Sequence, residues 1–162
     1  MANTFYNEIL TDHNIHPTHK YKMEDATFSL EGVNPSCGDD VVLYIKVNDQ
    51  NTIEDASFFG DGCAISQASA DMMCDLIIGK SKEEALRLSD IFLRMIKDTI
   101  TPEEKEELEE AGILEDIHHM PARVSALSWA GIPWTRFLRM PMKERQISTT
   151  VNLNKVFTST AL

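Results

Sequence analysis

Apolar and polar positions change their period along the chain, and the changes mark out its elements. Residues 3–13 place Phe5, Tyr6, Ile9 and Leu10 on one side of a short helix, which Pro17 ends. From about residue 26 to 59 the pattern alternates. Val41, Leu43, Ile45 and Val47 interleave with Val42, Tyr44 and Lys46, which reads as a strand with one apolar face. Asn48-Asp49-Gln50-Asn51 supplies a turn, Ile53 to Phe59 a returning strand, and Phe28 to Gly32 a third. Beyond them the spacing turns helical. Cys63 to Ile78 carries Ile65, Ala68, Met72 and Leu76 on one face, and Gly79 closes it. Ser81-Lys82-Glu83-Glu84 is a capping box opening a helix to about Lys97, and Thr101-Pro102-Glu103-Glu104 is another with proline at its first position. Pro121 to Val124 begins one more. The prediction is an α+β domain, a small three-stranded antiparallel sheet packed against several helices.

Composition narrows the function classes. The 162 residues suit one compact domain, with 43% hydrophobic and 25% charged residues as in ordinary soluble proteins. A net charge of −11 repels polyanions, so nucleic acid is not an expected partner, and the acidity favours docking onto a basic protein surface. The acidic run from Thr101 to Glu110 reads as a solvated helix face. No stretch approaches the roughly 20 apolar residues of a membrane span. The first residues lack the basic and apolar regions of a signal peptide, so a cytoplasmic location is expected. Three cysteines in such a setting argue against a disulfide framework and leave metal binding, catalysis or burial.

Two segments carry the candidate chemistry: Asn34-Pro35-Ser36-Cys37-Gly38-Asp39-Asp40 and Phe59-Gly60-Asp61-Gly62-Cys63-Ala64-Ile65-Ser66. Each sets a cysteine in a glycine-containing turn at the edge of regular structure, where glycine lets two loops approach closely. Cys63 opens a helix, a position that favours the thiolate, the form that binds metal and attacks sulfur. Asp39 offers a carboxylate near Cys37, and zinc accepts such mixed ligands. Spacing alone leaves open a plainer reading, in which both cysteines are small buried residues. Cys74 lies eleven residues past Cys63 on one helix, roughly 16 Å along its axis. It reads as core. His13, His16 and His19 read as surface or capping residues. His118 and His119 precede a segment from which a further ligand could come, and most of the methionines read as core.

These segments, with Asp12-His13 and Pro17 and the continuation Gln67-Ala68-Ser69, resemble the IscU/NifU N-terminal family over residues 5 to 124. The resemblance implies a sheet-plus-helices fold that binds zinc or builds iron–sulfur clusters on three cysteines and an aspartate. The extra helix at 101–111 is similar to the SufU branch, whose members take persulfide sulfur from a cysteine desulfurase (SufS-like) and pass it to SufBCD-type machinery. By that resemblance Cys37, Asp39 and Cys63 are ligands of zinc or a cluster. Cys37 is also the sulfur acceptor, and Arg123 contributes to partner or site contacts. The implied function is an assembly scaffold or sulfur carrier, at most a zinc-dependent sulfurtransferase. The alternative is a module that docks to a desulfurase without holding metal. A zinc hydrolase is disfavoured, because no general base stands beside the motif.

The pattern breaks after Pro121-Ala122-Arg123-Val124. The family continues with a basic residue, a third cysteine and a helix containing tryptophan, whereas this chain has Ser125-Ala126-Leu127-Ser128-Trp129. Pro133 and Pro141 then interrupt any helix. Codons can be chosen for Ser125 onward such that one added base reads Lys-Cys-Ala-Val-Leu-Gly-Trp-His-Thr-Leu-Asp-Glu-Ile-Leu-Glu-Asp. That frame contains the missing cysteine and spaces its apolar residues helically. The expected organisation is therefore a family-like domain over 1–124 and an aberrant, frameshifted tail over 125–162, with weakened metal affinity.

Overall fold

The alternation around residues 28–61 forms the sheet it predicts. In a computed structural model, which describes residues 2–34, 38–97, 100–119 and 149–152, a first helix α1 (Ala2–Ile15) leads into three antiparallel strands. These are β1 (Phe28–Asn34), β2 (Asp39–Val47) and β3 (Ile53–Asp61). Leu30 pairs with Leu43, Leu43 with Phe58 and Ile45 with Ala56, so one face presents a row of buried apolar side chains. The β2–β3 turn is held by Asn48, whose side-chain oxygen accepts from the N–H groups of Gln50 at 2.9 Å and Thr52 at 3.0 Å. Asn51 takes φ of 59°, which asparagine tolerates well.

Against that face lies α2 (Ala64–Ile77), buried on most sides: Ala68, Met72, Met73, Cys74 and Leu76 are all within the core. It contacts β3, α1, the next helix α3 (Lys82–Lys97) and a 3-10 helical segment, Glu109–His119. A helix so enclosed needs apolar residues around most of its circumference, which α2 supplies. On α3, Ala85, Leu88, Ile91, Phe92, Met95 and Ile96 form one buried stripe. Helix α4 (Pro102–Glu107) opens with the complete Thr101–Glu104 capping box and buries none of its side chains. The acidic run is thus partly a solvated face, as expected, and partly ion-paired: Glu104 meets Arg94 and Glu107 meets Arg87, both on α3. In the 3-10 segment Ala111, Leu114 and Ile117 are buried, matching the three-residue period of that helix.

Two findings depart from expectation: one adds a parallel strand to the three antiparallel strands foreseen, and one is a correction. A fourth strand, β4 (Thr149–Asn152), pairs parallel to β1 and gives the sheet the order β3-β2-β1-β4. Nothing in the sequence marked it, because a sheet edge recruits a strand through backbone groups that every residue carries. The second concerns the histidines. His13 and His19 do not take surface or capping roles; their side chains are each 11% exposed and bind α2 carboxylates. His16, by contrast, is exposed as expected. The helix foreseen from Pro121 lies outside the described residues. Among the described residues no helix is long and apolar enough to cross a membrane.

Candidate metal centre

The ends of β2 and β3 and the start of α2 converge on Asp39 and Cys63. Gly38, with φ of +70°, turns the chain into β2 so that Asp39 is the strand's first residue. Its carboxylate is almost wholly buried, at 1% exposure, and both of its oxygens accept hydrogen bonds. The Cys63 N–H donates to Oδ1 at 2.9 Å, and the Ser66 hydroxyl donates to Oδ2 at 2.7 Å. Cys63 is the N-cap of α2, and its sulfur accepts from the Ser66 N–H at 3.4 Å. The Ser66 hydroxyl also lies 3.2 Å from that sulfur. One serine therefore ties the thiol to the carboxylate, while the cysteine itself is exposed.

Small residues permit this approach. A Cβ on Gly62 would stand 3.1 Å from Asp39 Oδ1, so a side chain there would press on the carboxylate. Gln67 holds the same loop, donating from Nε2 to the Gly62 carbonyl at 2.7 Å and accepting from Lys20 Nζ at 2.5 Å. Ser66 and Gln67 are the site residues that sequence reasoning left unassigned. Ser66 stands three residues past the N-cap, the spacing at which a side chain reaches back to the cap, so its role was legible in principle.

Of the predicted site residues, Asp39 and Cys63 come together, and Cys37 and Arg123 lie outside the described residues. His119 is exposed at the end of the 3-10 segment, and the side chain of His118 is not among those described. Cys74 is a core residue as expected, with 0% exposure. Burial, reinforced by Asp71, Asp75 and Asp55, pushes its thiol well above the ordinary range. Alkylation of the folded protein at neutral pH, mapped by mass spectrometry, should therefore label Cys63 and leave Cys74 unmodified until denaturant is added.

An exposed thiol linked through the Ser66 hydroxyl to a buried carboxylate offers sulfur and oxygen donors together, the mixture that a borderline ion such as zinc accepts. Comparison with known proteins gives that pair a context. Residues 5–124 match the family model described as the NifU-like N-terminal domain. The chain belongs to the NifU-like N-terminal domain family.

Within this family it is similar to the iron–sulfur cluster assembly scaffold protein IscU of Streptococcus pyogenes serotype M1, 43% identical over 129 residues. That match covers 78% of this chain and 79% of the relative. The zinc-dependent sulfurtransferase SufU of Bacillus subtilis (strain 168) is 36% identical over 131 residues, covering 80% of this chain and 87% of the relative. Among solved structures, an iron–sulfur cluster assembly scaffold protein for the SUF system from Fervidobacterium islandicum AW-1 superposes with a TM-score of 0.75 at 33% identity. It covers 84% of this chain and 98% of its own. The α+β fold of this NifU-like domain, three antiparallel strands with several helices, is shared with that solved structure.

Proposed function

We propose that this NifU-like domain works in iron–sulfur cluster assembly, as a scaffold or sulfur carrier served by a cysteine desulfurase. The observation that carries the reading is the Asp39–Ser66–Cys63 network, a buried carboxylate and an exposed thiol held on one hydroxyl at the head of α2. Cys37, two residues before Asp39, is the third donor. Cys37, Asp39 and Cys63 would hold zinc or a cluster, and zinc bound there keeps its thiolate ligands deprotonated and oriented. Ser66 and Gln67 position the donors, and Asp39 supplies the hard oxygen.

Sulfur transfer then needs one nucleophile. The Cys37 thiolate attacks the outer sulfur of the desulfurase's cysteine persulfide and forms a new S–S bond. The desulfurase thiolate leaves with the electron pair of the old one. No external oxidant is consumed, and Cys37 now carries the persulfide. The net charge of −11 suits docking onto a basic partner surface. The finer assignments are a SufS-like desulfurase, a SufBCD-type acceptor, a site contact for Arg123 and a cytoplasmic location.

A second reading, a docking module that stimulates a desulfurase without holding metal, is favoured by one observation: Ser125 and its neighbours supply no third cysteine. Desulfurase turnover with the intact chain, Cys37→Ala and Cys63→Ala separates the two. Stimulation by the intact chain that Cys37→Ala abolishes supports the carrier. Stimulation that survives both substitutions supports the docking module. No stimulation by the intact chain would sink both.

A further inference from the structure

Away from the cysteine site, α1, α2 and the 3-10 segment enclose a second group of ligand-type side chains. Asp71 and Asp75 lie four residues apart, hence on one face of α2, and His13 reaches them from α1. One donor atom from each of the three falls within 4.8 Å of the others. By the rise of an α-helix, Asp71 and Asp75 stand roughly 12 to 18 Å from the Cys63 cap, so this is a separate place on the molecule.

Hydrogen bonds engage each of these side chains, one of them between two members of the group and the others from outside it. His13 Nδ1 faces Asp71 Oδ2 at 2.7 Å, while its Nε2 lies 2.8 Å from Glu110 Oε2. Asp71 Oδ1 accepts the His19 backbone N–H at 2.8 Å, and Asp75 Oδ1 lies 2.6 Å from His19 Nε2. An imidazole backed by a carboxylate, and carboxylates that are themselves hydrogen-bonded, form the outer shell that orients metal ligands in proteins.

Access is open as well. A cavity of about 360 Å³ adjoins the group, with Asp75, Glu109 and Glu110 on its wall and Met72, Leu76 and Leu108 beneath. Asp75 belongs to both the cavity and the cluster, and Glu110, the hydrogen-bond partner of His13, lines the same cavity, so an ion entering it meets carboxylates before it meets the buried Asp71.

We propose that His13, Asp71 and Asp75 form a second divalent-cation site, taking a borderline first-row ion of the zinc type through His13 Nδ1 and the two carboxylates. Glu110 and His19 orient the ligands. Nitrogen with two oxygens suits zinc or ferrous iron better than calcium, which prefers oxygen alone and more of it. The ion displaces the proton that His13 shares with Asp71 and releases it to solvent. Because the ligands come from α1 and α2, with Glu110 on the 3-10 segment behind them, the ion fastens the N-terminal helix to the body.

The test uses the full chain with Cys37→Ser and Cys63→Ser, which removes the thiol ligands, titrated with Zn2+ alone by calorimetry. One zinc per chain is expected. Adding His13→Gln or Asp75→Asn should weaken it at least tenfold, with the far-ultraviolet dichroism unchanged. Asp75 is exposed, so its variant keeps the test readable even if changes at His13 loosen α1. Zinc should also slow proteolysis within residues 2–15 in the doubly substituted chain but not in its Asp75→Asn derivative. Absence of zinc binding in the doubly substituted chain, or binding indifferent to both His13→Gln and Asp75→Asn, overturns the proposal.

Discussion

Gly60→Ala is expected to unfold the site end of the sheet and lower the thermal midpoint by on the order of 10 °C, a loss of about 3 kcal/mol for a domain of this size. Gly60 has φ of +140°, a conformation almost reserved for glycine, and forcing another residue into it costs about 1–3 kcal/mol. Sterics add to this. A Cβ there would sit 2.2 Å from the Asp40 carbonyl oxygen and 2.9 Å from Val41 Cα, both backbone atoms of the paired strand. Val41 is the register partner of Gly60, so β2 and β3 must separate where Asp39 and Cys63 meet. Gly79→Ala is the control. Gly79 also has positive φ, at +83°, but open space around its missing Cβ. It should cost about 1 kcal/mol and leave metal content unchanged. Thermal melts with zinc analysis check both. A Gly60→Ala protein as stable and as zinc-replete as the parent would show that this close approach does not hold the site together.

What the sequence revealed of this arrangement follows physical lines. The sheet was legible because Val41, Leu43 and Ile45 obey a period that only a half-buried strand satisfies. The helix caps were legible because Thr101 and Glu104 act over three residues. The meeting of Asp39 with Cys63 was legible through the glycine-cysteine turns and the resemblance they carry, while the Ser66 link, a tertiary contact over 27 positions to Asp39, was not drawn. The His13–Asp71 and His19–Asp75 pairs were hidden for the same reason. Their partners lie 58 and 56 residues apart, and nothing local to a histidine announces a distant carboxylate. The strand β4 was hidden differently, since its pairing with β1 is a backbone matter on which side-chain patterning is silent.

A chain rebuilt in the shifted frame from residue 125 is expected to bind zinc at the cysteine site at least 100-fold more tightly than the present one. Changes behind a metal ligand alone cost roughly 10–100-fold, and here a whole thiolate is at stake. The present sequence offers three donors, Cys37, Asp39 and Cys63, where a structural zinc site closes with four. Ser125 does not substitute, because a hydroxyl holds its proton far more firmly than a thiol and gives zinc a poor ligand. The shifted frame restores Lys-Cys-Ala after Val124, places a thiol two positions past Val124, and continues as an amphipathic helix without internal proline. The β4 pairing does not argue for the present tail, since an open sheet edge accepts backbone partners without regard to their side chains. We propose that residues 125–162 are translated out of frame. Sequencing the encoding DNA around the codon for Ser125 decides whether the alternative frame is there. Zinc titration of the two proteins side by side then decides whether it matters. Equal affinities would mean that the three present donors and water complete the site, and the tail would carry no metal role in either frame.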